Sequence, residues 1–200
     1  MPSEQIRYEN QDLREQDWED QELCGAVFSD CRFYGAAMSG LFTKCCQFIN
    51  CDFSFAQLSG SRHVRSAFLN CRFHGTSLFS ASFEECKGTG SNFTGADLTG
   101  LTLTGGNFSF SIWEGCSLQK MDFQSCSFEG ANFTEADLEK SNLSGCNLRQ
   151  AIVSRANLFG ADLREARIEG VDLKSAKLKK TKIDLQQAVY LAESLGAELG

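Results

Sequence analysis

Ten cysteines and two histidines are the residues of this sequence whose types suggest chemistry, as nucleophiles, disulfide partners or metal ligands. Eight of the cysteines recur at one position of a repeat, where a thiol behaves as a small hydrophobic side chain. These are Cys31, Cys46, Cys51, Cys71, Cys86, Cys116, Cys126 and Cys146. The sequence has no CxxC pair and no histidine at the spacing of a zinc site. We therefore expect free structural thiols, with no metal, no cofactor and no nucleophile paired with a base.

The elements that carry these residues follow a period of five. Stepping by five from Leu13 to Ile183 gives 35 positions, and all but Thr43, His63 and Gly88 are large and apolar. Two residues before almost every such position stands a small residue, and a polar residue lies between the two. Neither the helical period of 3.6 nor the strand period of 2 produces this pattern.

One large and one small inward residue in every five fits a chain that turns a corner every five residues. Four corners close a square after about 20 residues, and each 20-residue coil then stacks on the last at ~4.8 Å. About nine coils give a rod of ~43 Å. The predicted fold is an all-β, quadrilateral β-helix over residues 1–183, followed by a short helix and tail over residues 184–200.

The three exceptions to the pattern mark a softer region between about residues 41 and 90. Thr43 and His63 are 20 residues apart and so lie on one face, and Gly88 leaves a further central position unfilled. One interpretation is a tolerated core defect with a partly exposed corner. The other is a deformed side of the rod that carries function.

The charge of the chain limits its partners. A net charge of -7 and a sequence pI near 4.9 disfavour direct binding of nucleic acid. No apolar stretch reaches the ~20 residues needed to span a bilayer. Residues 1–10 lack a basic start followed by an apolar run, so we expect no signal peptide and a cytoplasmic location.

The charges also form bands along the chain. Residues 114–139 hold six acids against Lys120, whereas residues 140–182 hold ten bases and four acids. A spacing of 20 places Asp97 and Asp137 on one face, and Asp122 and Asp162 on another. The candidate partner-binding carboxylates are Asp97, Glu114, Asp122, Glu129, Glu135, Asp137, Glu139 and Asp162.

After Ile183 the period changes to that of a short helix. Asp184 is a good N-cap and Gly196 a natural stop. An apolar stripe lies between them, consisting of Leu185, Ala188, Val189, Ala192 and Leu195, and Leu191 is a further candidate dimerisation residue. The open end of a solenoid exposes core and strand edges, so this helix is expected to cap the rod. The apolar stripe also makes it a candidate dimerisation surface.

The repeat units resemble those of the pentapeptide-repeat family over residues 6–183, as in Ala96-Asp97-Leu98, Ala131-Asn132-Phe133 and Ala161-Asp162-Leu163. The ending 171–178, followed by Gln187-Ala188 and Ser194-Leu195-Gly196, is similar to the Qnr- and MfpA-type members. The resemblance implies a right-handed β-helix that mimics DNA, binds DNA gyrase and often topoisomerase IV, and protects the enzyme from quinolones or gyrase-poisoning toxins. It also implies a homodimer formed through the C-terminal helix.

Two features of this sequence differ from the Qnr- and MfpA-type proteins. The unbroken register from Leu13 to Ile183 leaves no room for the loops that many Qnr proteins insert between coils. The basic band would also interrupt a DNA-like field. The alternative is a rigid scaffold that binds an unrelated protein partner, for which the outward Phe79 and Phe159 are candidate contacts. An enzyme is not expected, because outward carboxylates on a rod form no cleft.

Overall fold

A computed structural model describes residues 6–14 and 16–198 of the chain. The outermost residues of the two predicted domains, 1–5 and 199–200, lie outside these described residues. The structure contains short parallel strands, one 3-10 turn at Leu173–Ser175 and one α-helix, α1, at Leu185–Ser194. The strands are β1 (Arg7–Glu9), β2 (Glu22–Cys24), β3 (Val27–Ser29), β4 (Phe42–Lys44), β5 (Gln47–Ile49), β6 (Arg62–Val64), β7 (Ala67–Leu69), β8 (Ser82–Glu84) and β9 (Thr102–Thr104).

Every strand pairs in parallel with a strand 20 residues away, which confirms the predicted four-sided β-helix. One sheet has the order β1-β3-β5-β7 and the other β2-β4-β6-β8-β9. Single bridges continue the 20-residue step to Asp162↔Lys182, so the stack amounts to about nine coils. Three-residue strands are confined to residues 7–104, the first five coils, and single bridges join the later ones.

Each face is named after one residue whose side chain points inward from it. Followed around one coil in the direction of the chain, the faces are the Phe28, Trp113, Leu138 and His63 faces. Phenylalanine rings stack along the axis from coil to coil, with ring centroids 4.9 Å apart for Phe28 and Phe48 and 4.8 Å for Phe33 and Phe53. These distances match the spacing of hydrogen-bonded strands. The aromatic rings therefore repeat at the spacing that the backbone ladder sets, and the two kinds of contact stabilise one register.

Each corner is formed by a residue with a positive φ angle, at every fifth position along most of the chain. Glycine, asparagine and aspartate tolerate this left-handed conformation, whereas bulky side chains adopt it rarely. Phe55 (φ 60°) and Phe110 (φ 58°) nevertheless occupy corners. Their rings lie over Gly75 and Gly130 in the next coil, where an added Cβ would come within 2.7 and 2.6 Å of a ring carbon.

The ladder of backbone hydrogen bonds is interrupted on two adjacent faces near the middle of the rod. Within the described residues, no main-chain hydrogen bond joins segment 95–105 to segment 115–125 of the next coil. The coils remain paired on the other two faces, through Asn92↔Ile112 and Asn107↔Ser127. We call the two unpaired segments the open seam.

Helix α1 closes the C-terminal end of the stack. Asp184 and Gln187 form a capping box, and Tyr190 and Leu191 pack against the core. The buried Gln187 donates from Nε2 to the carbonyl oxygens of Leu163 (2.6 Å) and Ala166 (2.8 Å). The last coil has no following coil to pair with, so this amide takes up the Ala166 carbonyl, which would otherwise lack a donor, and shares the Leu163 carbonyl with the Ala166 N–H. No helix within the described residues is long and apolar enough to cross a membrane.

Candidate functional site

The eight candidate carboxylates form a belt around the rod, not a single acidic side. Asp97 and Asp137 lie on the Leu138 face, and Asp122 and Asp162 lie on the His63 face. Glu139 also lies on the Leu138 face, and the other three lie at faces or corners elsewhere on the perimeter. All eight are exposed or half-buried, because none occupies an inward position. A partner that contacts the belt on one side would reach only some of these residues.

Three of the carboxylates are paired with bases. Glu135 contacts Arg155 at 2.6 Å, Glu139 contacts Lys140 at 2.7 Å, and Asp162 contacts Arg164 at 2.6 Å. The hydrogen bond from the Arg164 side chain lowers the pKa of Asp162 to about 2. The basic partners of Glu135, Glu139 and Asp162 therefore come from residues 140–182, and they weaken the negative field at those points.

Amide side chains, not bases, hold three of the remaining acids, and Asn147 donates to Glu129 at 2.9 Å. Asn142 donates from Nδ2 to Asp122 at 3.1 Å, and Asn157 donates to Asp137 at 2.9 Å. None of these acids has a lysine or arginine within ion-pair distance among the described residues. Asp122 and Asp137 are thus fixed in orientation and keep their charge available to a partner.

The three irregular central positions are filled, which contradicts the expectation of a partly exposed corner. Thr43 and His63 are both 0% exposed. Ser61 and Ser66, two small inward residues, supply hydroxyl groups that satisfy them. The ring of Phe108 occupies the space beside Gly88, where an added Cβ would lie 2.4 Å from a ring carbon. The region is a polar inclusion in a packed core.

An exposed aromatic corner lies on the edge of the Trp113 face, and sequence reasoning missed it. Tyr34 and Phe55 have ring centroids 5.3 Å apart, and Phe55 meets His74 edge-on at 5.5 Å. Phe55 is 45% exposed despite its left-handed backbone. A phenylalanine at the fifth position of the repeat was the signal that could have revealed this corner, because that position favours glycine or asparagine.

The two phenylalanines that were singled out from the sequence differ in exposure. Phe79 is 50% exposed. Phe159 is half-buried, with the ammonium groups of Lys140 and Lys180 at 5.9 and 5.8 Å from its ring centroid. Phe159 is therefore covered by cations and is a poorer apolar contact than Phe79.

The apolar residues of helix α1 are divided between two surroundings. Leu191 packs against the core of the rod, whereas Leu185 and Leu195 are 82% and 67% exposed. Ala188, Val189 and Ala192 are half-buried. The exposed leucines are the residues that a second protein chain could cover.

All ten cysteines are free, and only Cys24 and Cys45 are exposed. Burial raises the pKa of the Cys86, Cys126 and Cys146 thiols to about 12. Within the described residues, no group of three or more histidine, cysteine, aspartate or glutamate side chains is arranged to hold a metal ion. The buried thiols act as small packing groups at the inward position.

Comparisons with known proteins agree with this geometry. A model of the pentapeptide repeat region matches residues 116–191, and a model of eight copies of pentapeptide repeats matches residues 67–105. A comparison with curated proteins gives no match.

Solved structures provide further similarity. Two trypsin-treated variants of QnrB1, described as a plasmid-mediated fluoroquinolone resistance protein, are 24% identical and cover 98% of each chain, with TM-scores of 0.86 and 0.82. HetL, involved in heterocyst differentiation regulation in the cyanobacterium Nostoc sp. strain PCC 7120, is 23% identical, with a TM-score of 0.56. Its match covers 90% of this chain and 87% of HetL. At these identities the likeness shows the fold.

Proposed function

We propose that this chain, which belongs to the pentapeptide-repeat family, binds a type II topoisomerase through its outer surface as a mimic of DNA. The enzyme would be DNA gyrase, with topoisomerase IV as a second target, in the cytoplasm. Binding would protect the enzyme from quinolones or from toxins that poison gyrase. The chain would act as a binding protein and not as an enzyme.

The observation that carries the proposal is the set of rigid carboxylates without basic partners. Asp122 and Asp137 are fixed by amide hydrogen bonds on a backbone that repeats at ~4.8 Å per coil. A groove that receives DNA is positively charged, and fixed negative groups on a stiff rod are complementary to such a groove. The match to QnrB1 along 98% of both chains supports a rod of comparable extent.

Helix α1 supports a homodimer in which two rods meet end to end. Leu185 and Leu195 are large apolar side chains left exposed on the outer side of the cap. Covering them with the same helix of a second chain would remove apolar surface from water at about 25 cal/mol per Å². Two rods would extend over ~86 Å, the length of about 25 base pairs.

A supercoiling titration tests the proposal. Purified protein should inhibit DNA gyrase supercoiling at micromolar concentration and, at lower concentration, restore supercoiling in the presence of a quinolone. Topoisomerase IV decatenation provides the parallel assay for the second target. If the protein changes neither gyrase activity nor drug sensitivity over this range, the proposal is wrong.

A rigid scaffold for an unrelated protein partner is the second candidate function. The aromatic corner of Tyr34, Phe55 and His74 favours it, because exposed aromatic side chains are typical of protein–protein contact sites. Pull-down from lysate separates the two functions. Recovery of both gyrase subunits would favour the topoisomerase, whereas reproducible recovery of another protein that is lost on Phe55→Ser would favour the scaffold.

A further inference from the structure

The open seam exposes two strand edges on opposite sides of one opening. The backbone N–H groups of Leu98, Leu103 and Asp122 have no hydrogen-bond acceptor among the described residues. One coil further on the pattern is intact, since Phe123 donates to Asn142 and Asn142 donates to Met121, both at 2.8 Å. On the His63 face the loss of pairing is therefore confined to the junction between segments 95–105 and 115–125.

The sequence supplies a physical cause for the opening. Leu101 and Met121 occupy the small inward position in two successive coils, where other repeats carry mostly Ala, Cys, Ser, Thr or Gly. Two long side chains stacked at this position hold the coils apart.

The opening on the His63 face leads into a cavity of about 500 Å³. Leu101 and Leu103, whose side chains point into the rod, line the floor, and Asp122 and Gln124 line the upper edge. This volume lies within the range of about 300–1,000 Å³ typical of ligand sites. The lining includes Leu103 and Asp122, whose backbone N–H groups lack acceptors, so the cavity suits a ligand that can pair with a peptide backbone.

The charge around the opening is negative. Glu85 lies at the lower rim and Asp122 at the upper edge, and Asp97 lies on the adjoining open face. Lys120, at the corner between the two open faces, is the base within the unpaired segments. None of these four residues forms an ion pair among the described residues. The opening therefore favours a positively charged ligand.

We propose that the open seam binds an extended peptide segment of a protein partner, about one side of the square in length, with lysine or arginine at its outward positions. The segment would add a strand between β9 and residues 121–125 and supply the missing backbone partners. An apolar residue at its centre would face the rod interior between Leu103 and Phe123. This site shares Asp97 and Asp122 with the acidic belt, but its main contacts, the unpaired backbone groups of the seam, take no part in the proposed topoisomerase binding.

Fluorescence anisotropy with a labelled peptide tests the site on the full-length protein. The probe is Ala-Lys-Leu-Lys-Gly, which places lysines outward and leucine inward in the phase of the repeat. Two matched peptides serve as controls, Ala-Glu-Leu-Glu-Gly with reversed charge and Ala-Lys-Pro-Lys-Gly without the central N–H. The lysine–leucine peptide should bind at least about tenfold more tightly than either control.

Variants of the protein locate the binding. Asp122→Lys places a base on the upper edge of the seam and should weaken binding by about tenfold or more. Ser82→Lys adds a base to the same face on β8, a strand paired on both sides, and should leave binding nearly unchanged. Amide hydrogen exchange at Leu98, Leu103 and Asp122 should be fast in the free protein, and the peptide should slow it at Leu103 and Asp122.

Equal binding of all three peptides, or equal loss in both variants, would overturn the proposal in favour of non-specific charge attraction. Slow exchange at Leu98, Leu103 and Asp122 in the free protein would also overturn it, because the seam would then be closed in solution. Because Asp122 also belongs to the acidic belt, the peptide-binding result tests the seam, and the gyrase titration of Asp137→Asn tests the topoisomerase proposal separately.

Discussion

The imidazole of His63 lies 2.8 Å, measured from Nδ1, from the hydroxyl oxygen of Thr43 in the preceding coil. Thr43 donates in turn to Ser66, and Nε2 of His63 lies 3.0 Å from the hydroxyl of Ser61. This order of donors is satisfied by a neutral imidazole with its hydrogen on Nδ1. Thr43 and His63, which occupy the central position of one face in successive coils, thus satisfy each other's hydrogen-bonding groups inside an aromatic core.

The buried His63 should make stability depend on pH. Burial lowers its pKa from 6.5 to about 3, so the unfolded chain takes up a proton at a pH where the folded chain does not. The stabilisation is fully present above pH 6.5 and is lost as the pH falls towards 3. Between pH 7 and pH 5 we expect the free energy of unfolding to fall by about 2 kcal/mol, measured by urea denaturation.

Two histidine variants isolate this effect. His63→Leu should remove the pH dependence between pH 7 and 5, even though it leaves the Ser61 hydroxyl without its partner. His74→Gln removes a solvent-exposed histidine and should retain the full dependence. The attribution to His63 fails if His63→Leu keeps the slope.

The thiols should divide into two reactive and eight unreactive groups. Cys24 and Cys45 are exposed, whereas the other eight are buried at the inward position. In native protein at pH 8, a thiol-specific disulfide reagent should therefore modify two cysteines rapidly, and all ten after denaturation. A Cys24→Ser, Cys45→Ser double variant should show no rapid phase. Rapid modification of additional cysteines in native protein would show that the coils separate readily.

Carboxylates without basic partners should contribute more to topoisomerase binding than ion-paired ones. Asp137→Asn removes an unpaired charge, whereas Glu139→Gln, two residues away, removes a charge already paired with Lys140. We expect the first change to raise the concentration for half-inhibition of supercoiling by about fivefold and the second by less than about twofold. Similar effects of the two changes would mean that local ion pairs do not determine the electrostatic field at the surface that the enzyme contacts.

The two exposed leucines of helix α1 should control dimer formation. Leu195→Glu introduces a charge on the outer side of the cap and should give folded monomers in sedimentation velocity. Gln186→Glu adds the same charge at an exposed helix position outside the apolar stripe and should remain dimeric. Leu191→Glu should lower the unfolding midpoint as well, because Leu191 packs on the rod. A wild-type protein that is already monomeric would show that α1 is a cap and nothing more.

The period of five was sufficient to predict the four-sided coil, because each large centre must point inward if the chain turns at every fifth residue. Leu13, Phe28 and most other centres are buried as that argument requires, whereas Leu23, Leu178 and Ile183, towards the two ends of the stack, are half-buried. The capping helix was also predictable, since Asp184 is the N-cap that the sequence indicates. The hydrophobic pattern sets these features locally, so one sequence without relatives was enough.

Features that depend on contacts between coils were harder to predict. Thr43 and His63 looked like defects, because the hydroxyls of Ser61 and Ser66 that satisfy them belong to the small position and gave no sign of this role. Leu101 and Met121 were visible as departures from the small position. Their effect on the hydrogen bonds between coils becomes apparent only when the fold places the two residues, 20 positions apart, one above the other.

The interrupted ladder at residues 95–105 bears on how the rod unfolds. In a linear repeat protein, cooperativity passes from each unit to the next through their shared interface. Here the junction between segments 95–105 and 115–125 keeps backbone pairing on only two of its four faces, and Phe93 and Trp113 stack at 4.0 Å on the paired side. Heat or denaturant should therefore divide the molecule at this junction first, and the aromatic-rich N-terminal coils and the leucine-rich C-terminal coils should melt as two separate transitions.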